Sequence, residues 1–117
     1  KCDEEILKVA GVKLKLFRPP YGVTNPMVAK TIEKGNYTCT GWSIRTYDTN
    51  VKGAEKLLQN ALNRLSNGDI VLFHDWGKHT IDILPAFIRE VKARGFEIVR
   101  VDELLNIKAY YESAIER

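Results

Sequence analysis

No stretch of this chain approaches the roughly 20 consecutive apolar residues needed to span a bilayer, and its first residues do not read as a signal segment. Cysteine is scarce. Cys2 and Cys39 are too few and too far apart for a zinc site, and nothing pairs them as a disulfide, so they say little about compartment. Basic residues form no block: the net charge of +3 is spread over interleaved Lys, Arg, Asp and Glu and gives little support to nucleic-acid binding. Internal repeats and low-complexity segments are missing too. What remains is 117 residues, 44% hydrophobic and 28% charged, the composition of one ordinary domain or part of one. The chain starts at Lys1 rather than Met, and Cys2-Asp3-Glu4-Glu5 enters a helix-like pattern with no lead-in, which suggests a piece of a longer polypeptide.

The most informative stretch is Asp69-Ile70-Val71-Leu72-Phe73-His74-Asp75, because it places a histidine at the mouth of an unbroken apolar run. Strands of a parallel sheet covered on both faces read this way. Ligands bind at the carboxyl ends of such strands, where His74 would lie. Position alone is equally compatible with a structural histidine that closes the strand.

The remaining periodicity frames this strand. Ile6, Leu7, Val9 and Ala10 mark a short helix stopped by Gly11. Residues 13–18 alternate as a strand that Pro19-Pro20 ends, with Arg18 emerging at its tip. Asn25-Pro26 is a helix start, and Gly35 closes that helix. Residues 37–44, β-branched and aromatic, predict one strand running out to a polar loop that holds Asp48. Val51, Ala54, Leu57, Leu58, Ala61, Leu62 and Leu65 predict an amphipathic helix capped by Asn50 and Gly68. A further helix runs to Gly95, with Asp82 as its cap and Pro85 in its first turn. Residues 96–101 predict a last strand, followed by a turn capped by Asp102 and a terminal helix over 108–117. Strands alternating with helices mean an α/β fold of about four parallel strands. Four are too few to close a barrel, so another part of the polypeptide is expected to complete the sheet.

Parallel strands point one way, so Arg18, Asp48 and His74 are expected on one rim. A carboxylate beside an imidazole favours the protonated ring and fixes its tautomer, while a guanidinium can hold a second carboxylate by two hydrogen bonds. Taken singly, Arg18 is equally readable as a surface arginine, Asp48 as a turn cap and Trp42 as core.

Phe17-Arg18-Pro19-Pro20-Tyr21-Gly22 resembles the third motif of the polysaccharide deacetylases with the NodB-homology fold. Trp42-Ser43-Ile44-Arg45-Thr46-Tyr47-Asp48 resembles the fourth, and Ile70-Val71-Leu72-Phe73-His74-Asp75 the fifth. Residues 80–105 are similar to the family's final helix, strand and turn. The resemblance covers nearly the whole of 1–117 as the C-terminal half of a distorted (β/α) barrel.

It implies hydrolysis of an N-acetyl group on an amino sugar, assisted by a divalent metal such as zinc that polarises the amide carbonyl. His74 would protonate the leaving amine, Asp48 would orient and charge His74, and Arg18 would orient the base. The Tyr21 N–H would hold the oxyanion, Pro20 would stand beside it on the substrate side, and Leu72 and Trp42 would line the acetyl pocket. The family is typically secreted or placed at the cell envelope. Two departures stand out: Thr49 occupies the place of a usual tryptophan, and the metal-binding and base motifs have no counterpart before Arg18. His79 reads as a helix-start or rim residue. The expected partners are an acetylated amino sugar, the missing N-terminal half and, through an open sheet edge, a second copy. The competing readings are a non-catalytic carbohydrate-binding or structural module and an amidase acting on a small non-sugar amide.

Overall fold

The computed structural model describes residues 1–111. They divide into two compact units, Lys1–Gly41 together with Leu105–Arg117, and Trp42–Leu104.

In the first unit, helix α1 (Cys2–Ala10) carries Asp3, Glu4 and Glu5 in its first turn and Lys8 in its last, the arrangement that a helix dipole favours. Gly11, at φ 68°, ends it in the left-handed conformation that glycine adopts without steric cost. Strand β1 (Leu16–Phe17) pairs in parallel with β2 (Thr38–Cys39), with α2 (Pro26–Gly35) as the crossover between them. The Asn25 side chain caps α2 by accepting the Val28 N–H at 2.9 Å, and Pro26 takes the first helical position. The left-handed residue that closes α2 is Asn36, at φ 52°, one position beyond the expected Gly35. The expected terminal helix is not formed over 108–111. There Tyr110 bridges Leu14 in an antiparallel sense, and the Tyr111 N–H donates to the Lys13 carbonyl. The remainder of that predicted helix lies outside the described residues.

The second unit holds the site. Strand β3 (Ile44–Arg45) and strand β4 (Val71–Leu72) pair in parallel, Ile44 with Val71 and Arg45 with Leu72. Helix α3 (Ala54–Leu62) makes the crossover, and α4 (Thr80–Ala93) and α5 (Val101–Leu105) follow. The ladder starts from a side-chain clamp: Ser43 Oγ donates to Asp69 at 2.7 Å and accepts the Ile70 N–H at 2.9 Å. Helix α3 begins at Ala54, after Gly53, rather than after Asn50. Gly53, at φ 101°, lies outside the helical region and blocks an earlier start, while the N–H groups of Asn50 and Val51 close a turn onto the Tyr47 carbonyl. In α4 the cap position falls to His79, consistent with a helix-start role, so Asp82 sits inside the first turn and Pro85 in the helix interior.

Two expected strands are also corrected. The single strand over 37–44 is two strands, β2 in the first unit and β3 in the second, with Gly41 between them. Glycine lacks a side chain to pack and weakens a strand, so the ladder is interrupted there. Residues 96–100 form no strand. A strand persists only where a neighbouring strand satisfies its N–H and C=O groups, and among the described residues no strand pairs with this segment, in which Ile98 is 53% exposed. Together with Leu65, Val71, Phe73, Leu84 and Phe96, it borders a cavity of about 590 Å³. The parallel pairs are therefore short, and helices separate the strands only within each pair.

The core of this unit is the contact of α3 with α4. Leu57 and Ala61 are fully buried, one turn apart, against Ile83, Phe87 and Val91. Phe73, just past β4, meets the Phe87 ring edge-on at 5.2 Å, which locks the strand that leads to His74 onto α4. Leu57→Ala is expected to cost about 2–5 kcal/mol, measured by urea denaturation followed by circular dichroism. A loss below about 0.5 kcal/mol would mean that this contact does not organise the unit.

Candidate active site

On the way out of β3, burial alternates: Ile44, Thr46 and Asp48 are buried, whereas Arg45 and Tyr47 are exposed. The two-residue period carries the inward face of the strand through to Asp48. Thr46 holds this extension to β4 by donating its hydroxyl to the Leu72 carbonyl at 2.7 Å. Followed forward unchanged, the β3–β4 register would set Asp48 opposite Asp75; beyond the paired residues the two chains slip by one position, and Asp48 meets His74 instead. Tyr47, at φ 58°, then turns the chain, so that Asp48 stays inside while the backbone leaves.

The Asp48 carboxylate is 2% exposed, and its oxygens receive donors from two later points in the sequence. Oδ1 pairs with His74 Nδ1 at 2.8 Å; Oδ2 accepts the His74 backbone N–H at 2.5 Å and the Thr80 hydroxyl at 2.9 Å. Burial alone would push this carboxyl up. The His74 ring and N–H, together with the Thr80 hydroxyl, outweigh it and hold Asp48 below its usual range. An ionised carboxylate can only accept, so Nδ1 must carry the proton at this contact. Nε2 is left for another partner, on a side chain that is 38% exposed. An imidazole with one nitrogen fixed to a buried carboxylate and the other accessible is equipped to pass a proton.

The loop after His74 is built around the same carboxylate. The Gly77 N–H donates to the His74 carbonyl at 3.1 Å, and the Thr80 N–H to the Gly77 carbonyl at 3.1 Å. A β-carbon at Gly77 would stand 2.3 Å from the Thr80 hydroxyl oxygen and 2.9 Å from Asp48 Oδ2, so the close approach requires glycine. Thr80 and Gly77 escaped sequence reasoning. Thr80 is visible in the sequence only as a helix-start residue, and nothing in the spacing marks its hydroxyl as a partner of Asp48.

Of the residues expected from the sequence, the structure brings Asp48 and His74 together. Trp42 lies half-buried just before β3, and Leu72 half-buried on β4 opposite Arg45. Arg18, Pro20 and Tyr21 are exposed and belong to the first unit, where Tyr21 adopts φ 57° in a short 3₁₀ turn, Pro20–Gly22. Among the described residues, no group of three or more His, Cys, Asp or Glu could hold a metal ion. The expected metal therefore finds no fitting ligand set in the described residues.

Because the carboxyl of Asp48 is lowered, its stabilising contribution is present above the ordinary aspartate value of about 3.9 and is lost as pH falls through its native value. Asp48→Asn should cost about 1–3 kcal/mol at pH 7. The gap to the unaltered protein should narrow on acidification to about pH 3. Urea denaturation at both pH values checks this, and a gap independent of pH would show that the carboxylate charge is not what is held. Thr80→Val, which keeps the shape and removes one donor, should cost about 1 kcal/mol at pH 7.

Comparison with known proteins yields no matching family model. The chain is 36% identical over 98 residues to a peptidoglycan-N-acetylglucosamine deacetylase of Bacillus cereus, a match that spans 80% of this chain and 46% of that protein. The chain thus spans about half the length of this relative. A crystal structure of a peptidoglycan N-acetylglucosamine deacetylase, solved with a naphthyl-substituted N-hydroxybenzamide, superposes with a TM-score of 0.81 at 25% identity, covering 93% of this chain and 53% of that one. A carbohydrate esterase family 4 pseudoenzyme from Bacillus anthracis superposes with a TM-score of 0.77 at 26% identity, covering 88% of this chain and 36% of that one.

Proposed function

Since this chain belongs to the polysaccharide deacetylases of the NodB-homology type, we propose that the protein containing it removes N-acetyl groups from an amino-sugar polymer of chitin or peptidoglycan type. The observation that carries this reading is the 2.8 Å contact between His74 Nδ1 and the buried Asp48 carboxylate. In this reading, residues 1–117 form part of one barrel domain, and the unpaired strand edges are where the rest of the polypeptide, or failing that a second copy, would pair.

An amide does not lose its nitrogen as an anion. His74 in its protonated form, held through Nδ1 by Asp48, donates the Nε2 proton to the amide nitrogen as the C–N bond breaks. Water that has given a proton to a carboxylate base supplies the new C–O bond, so the amine departs neutral, acetate remains, and Asp48 stabilises the imidazolium until the proton has moved. Arg18 orients a base carboxylate, the Tyr21 N–H faces the developing oxyanion with Pro20 beside it, and Trp42 and Leu72 bound the space for the acetyl methyl. A divalent metal would polarise the carbonyl. Its ligands are not furnished by the described residues, and no step assigned here to this chain passes through it. An amino-sugar polymer as substrate suits a secreted or envelope location, and no described helix is long and apolar enough to cross a membrane.

The likeness to a pseudoenzyme supports a second reading, a carbohydrate-binding or structural module that keeps the fold without the chemistry. Acetate release by the full-length protein from an N-acetylglucosamine oligomer separates the two. Turnover is expected, and His74→Ala should lower it at least about a hundredfold while leaving the circular dichroism unchanged. Retained turnover in that variant would refute the acid role. Sugar binding without turnover would select the module, and turnover only on a small non-sugar amide would select an amidase.

A further inference from the structure

Trp76 stands one residue beyond the His74-Asp75 pair with 71% of its surface exposed, and its ring centroid lies 5.4 Å from that of His74, the planes tilted by 56°. A large apolar side chain left in water beside a candidate proton donor calls for an account, because tryptophan buries more surface than almost any other residue when it can. The backbone that carries it is fixed. The turn from His74 to Gly77 is closed by a hydrogen bond, Gly77 is buried against Thr80 and Asp48, and Thr80 bonds back to Gly77. Residue 76 is thus held by the same carboxylate that orients His74.

We propose that the indole of Trp76 is the platform on which a pyranose ring of the substrate stacks. This role rests on the deacetylase reading, in which the reacting nitrogen lies within reach of His74. The face of a pyranose presents C–H bonds of positive partial charge, which complement the negative face of an indole. A flat, open aromatic face suits an extended chain of sugar rings better than a small compact ligand, for which an enclosed pocket is the usual site. A tryptophan on a fixed turn loses only two side-chain torsions on binding, so contact costs little entropy. The platform therefore sets specificity for an oligosaccharide over a small acetylated compound, and acts on binding rather than on proton transfer.

The test uses the full-length protein with two substrates, a tetramer of N-acetylglucosamine and 4-nitrophenyl acetate, which has no sugar ring. For Trp76→Ala, kcat/KM on the tetramer should fall about tenfold relative to that on the ester, with the loss in KM. Trp76→Phe should restore most of it. An unaltered ratio, or equal loss on both substrates, would overturn the proposal. If the unaltered protein turns over neither substrate, the deacetylase reading fails and the platform is judged by fluorescence instead. Tetramer-induced quenching that disappears in Trp76→Phe, where Trp42 remains, upholds stacking; no quenching in the unaltered protein overturns it.

Discussion

A single buried carboxylate organises the second unit of this chain. Asp48 is out of water, and a buried charge is tolerated only where donors replace its hydration. Those donors are the ring and backbone of His74 and the hydroxyl of Thr80, so the end of β4 and the start of α4 are both tied to the exit of β3. Each tie has a cause further back in the chain. Asp48 is inside where burial alternates from Ile44, and His74 comes within reach because Ser43, Asp69 and Thr46 fasten β3 and β4 side by side and the chains shift by one position beyond the paired residues. Thr80 is in reach because Gly77 lets the loop pass over the carboxylate.

Much of this was legible from residue pattern. The apolar run before His74, the spacing of Leu57 and Ala61, and the Asn25-Pro26 cap depend on local periodicity and backbone chemistry, which a sequence displays directly. The break of 37–44 into two strands was not legible, because β-branched and aromatic residues continue across Gly41 while their backbone partners change from β1 to β4. Residues 96–101 mislead for a related reason. Their composition suits a strand, yet strand formation needs a neighbour, and none is present among the described residues. At the site, Asp48 and His74 were legible as polar residues at strand ends. Thr80 was not, because a hydroxyl at a helix start looks the same whether or not it meets a carboxylate.

The relation to peptidoglycan deacetylases and the geometry at Asp48 support each other without being the same statement. Relatives that span about twice this chain carry the name of the activity. The chain itself carries a carboxylate–imidazole pair and an adjoining aromatic face, both in one unit. A pseudoenzyme of the same fold shows that the architecture by itself does not guarantee chemistry. What the carboxylate sets in this chain is the tautomeric state of the imidazole, with the proton on the Nδ1 that faces Asp48.

That state can be observed directly. Long-range proton–nitrogen NMR of the imidazole nitrogens, with His79→Gln to assign the two histidines, reads which nitrogen of neutral His74 bears the proton. The account predicts the Nδ1–H form in the unaltered protein and a return toward the Nε2–H form usual for free histidine in Asp48→Asn. An Nε2–H ring in the unaltered protein, indifferent to Asp48, would contradict it.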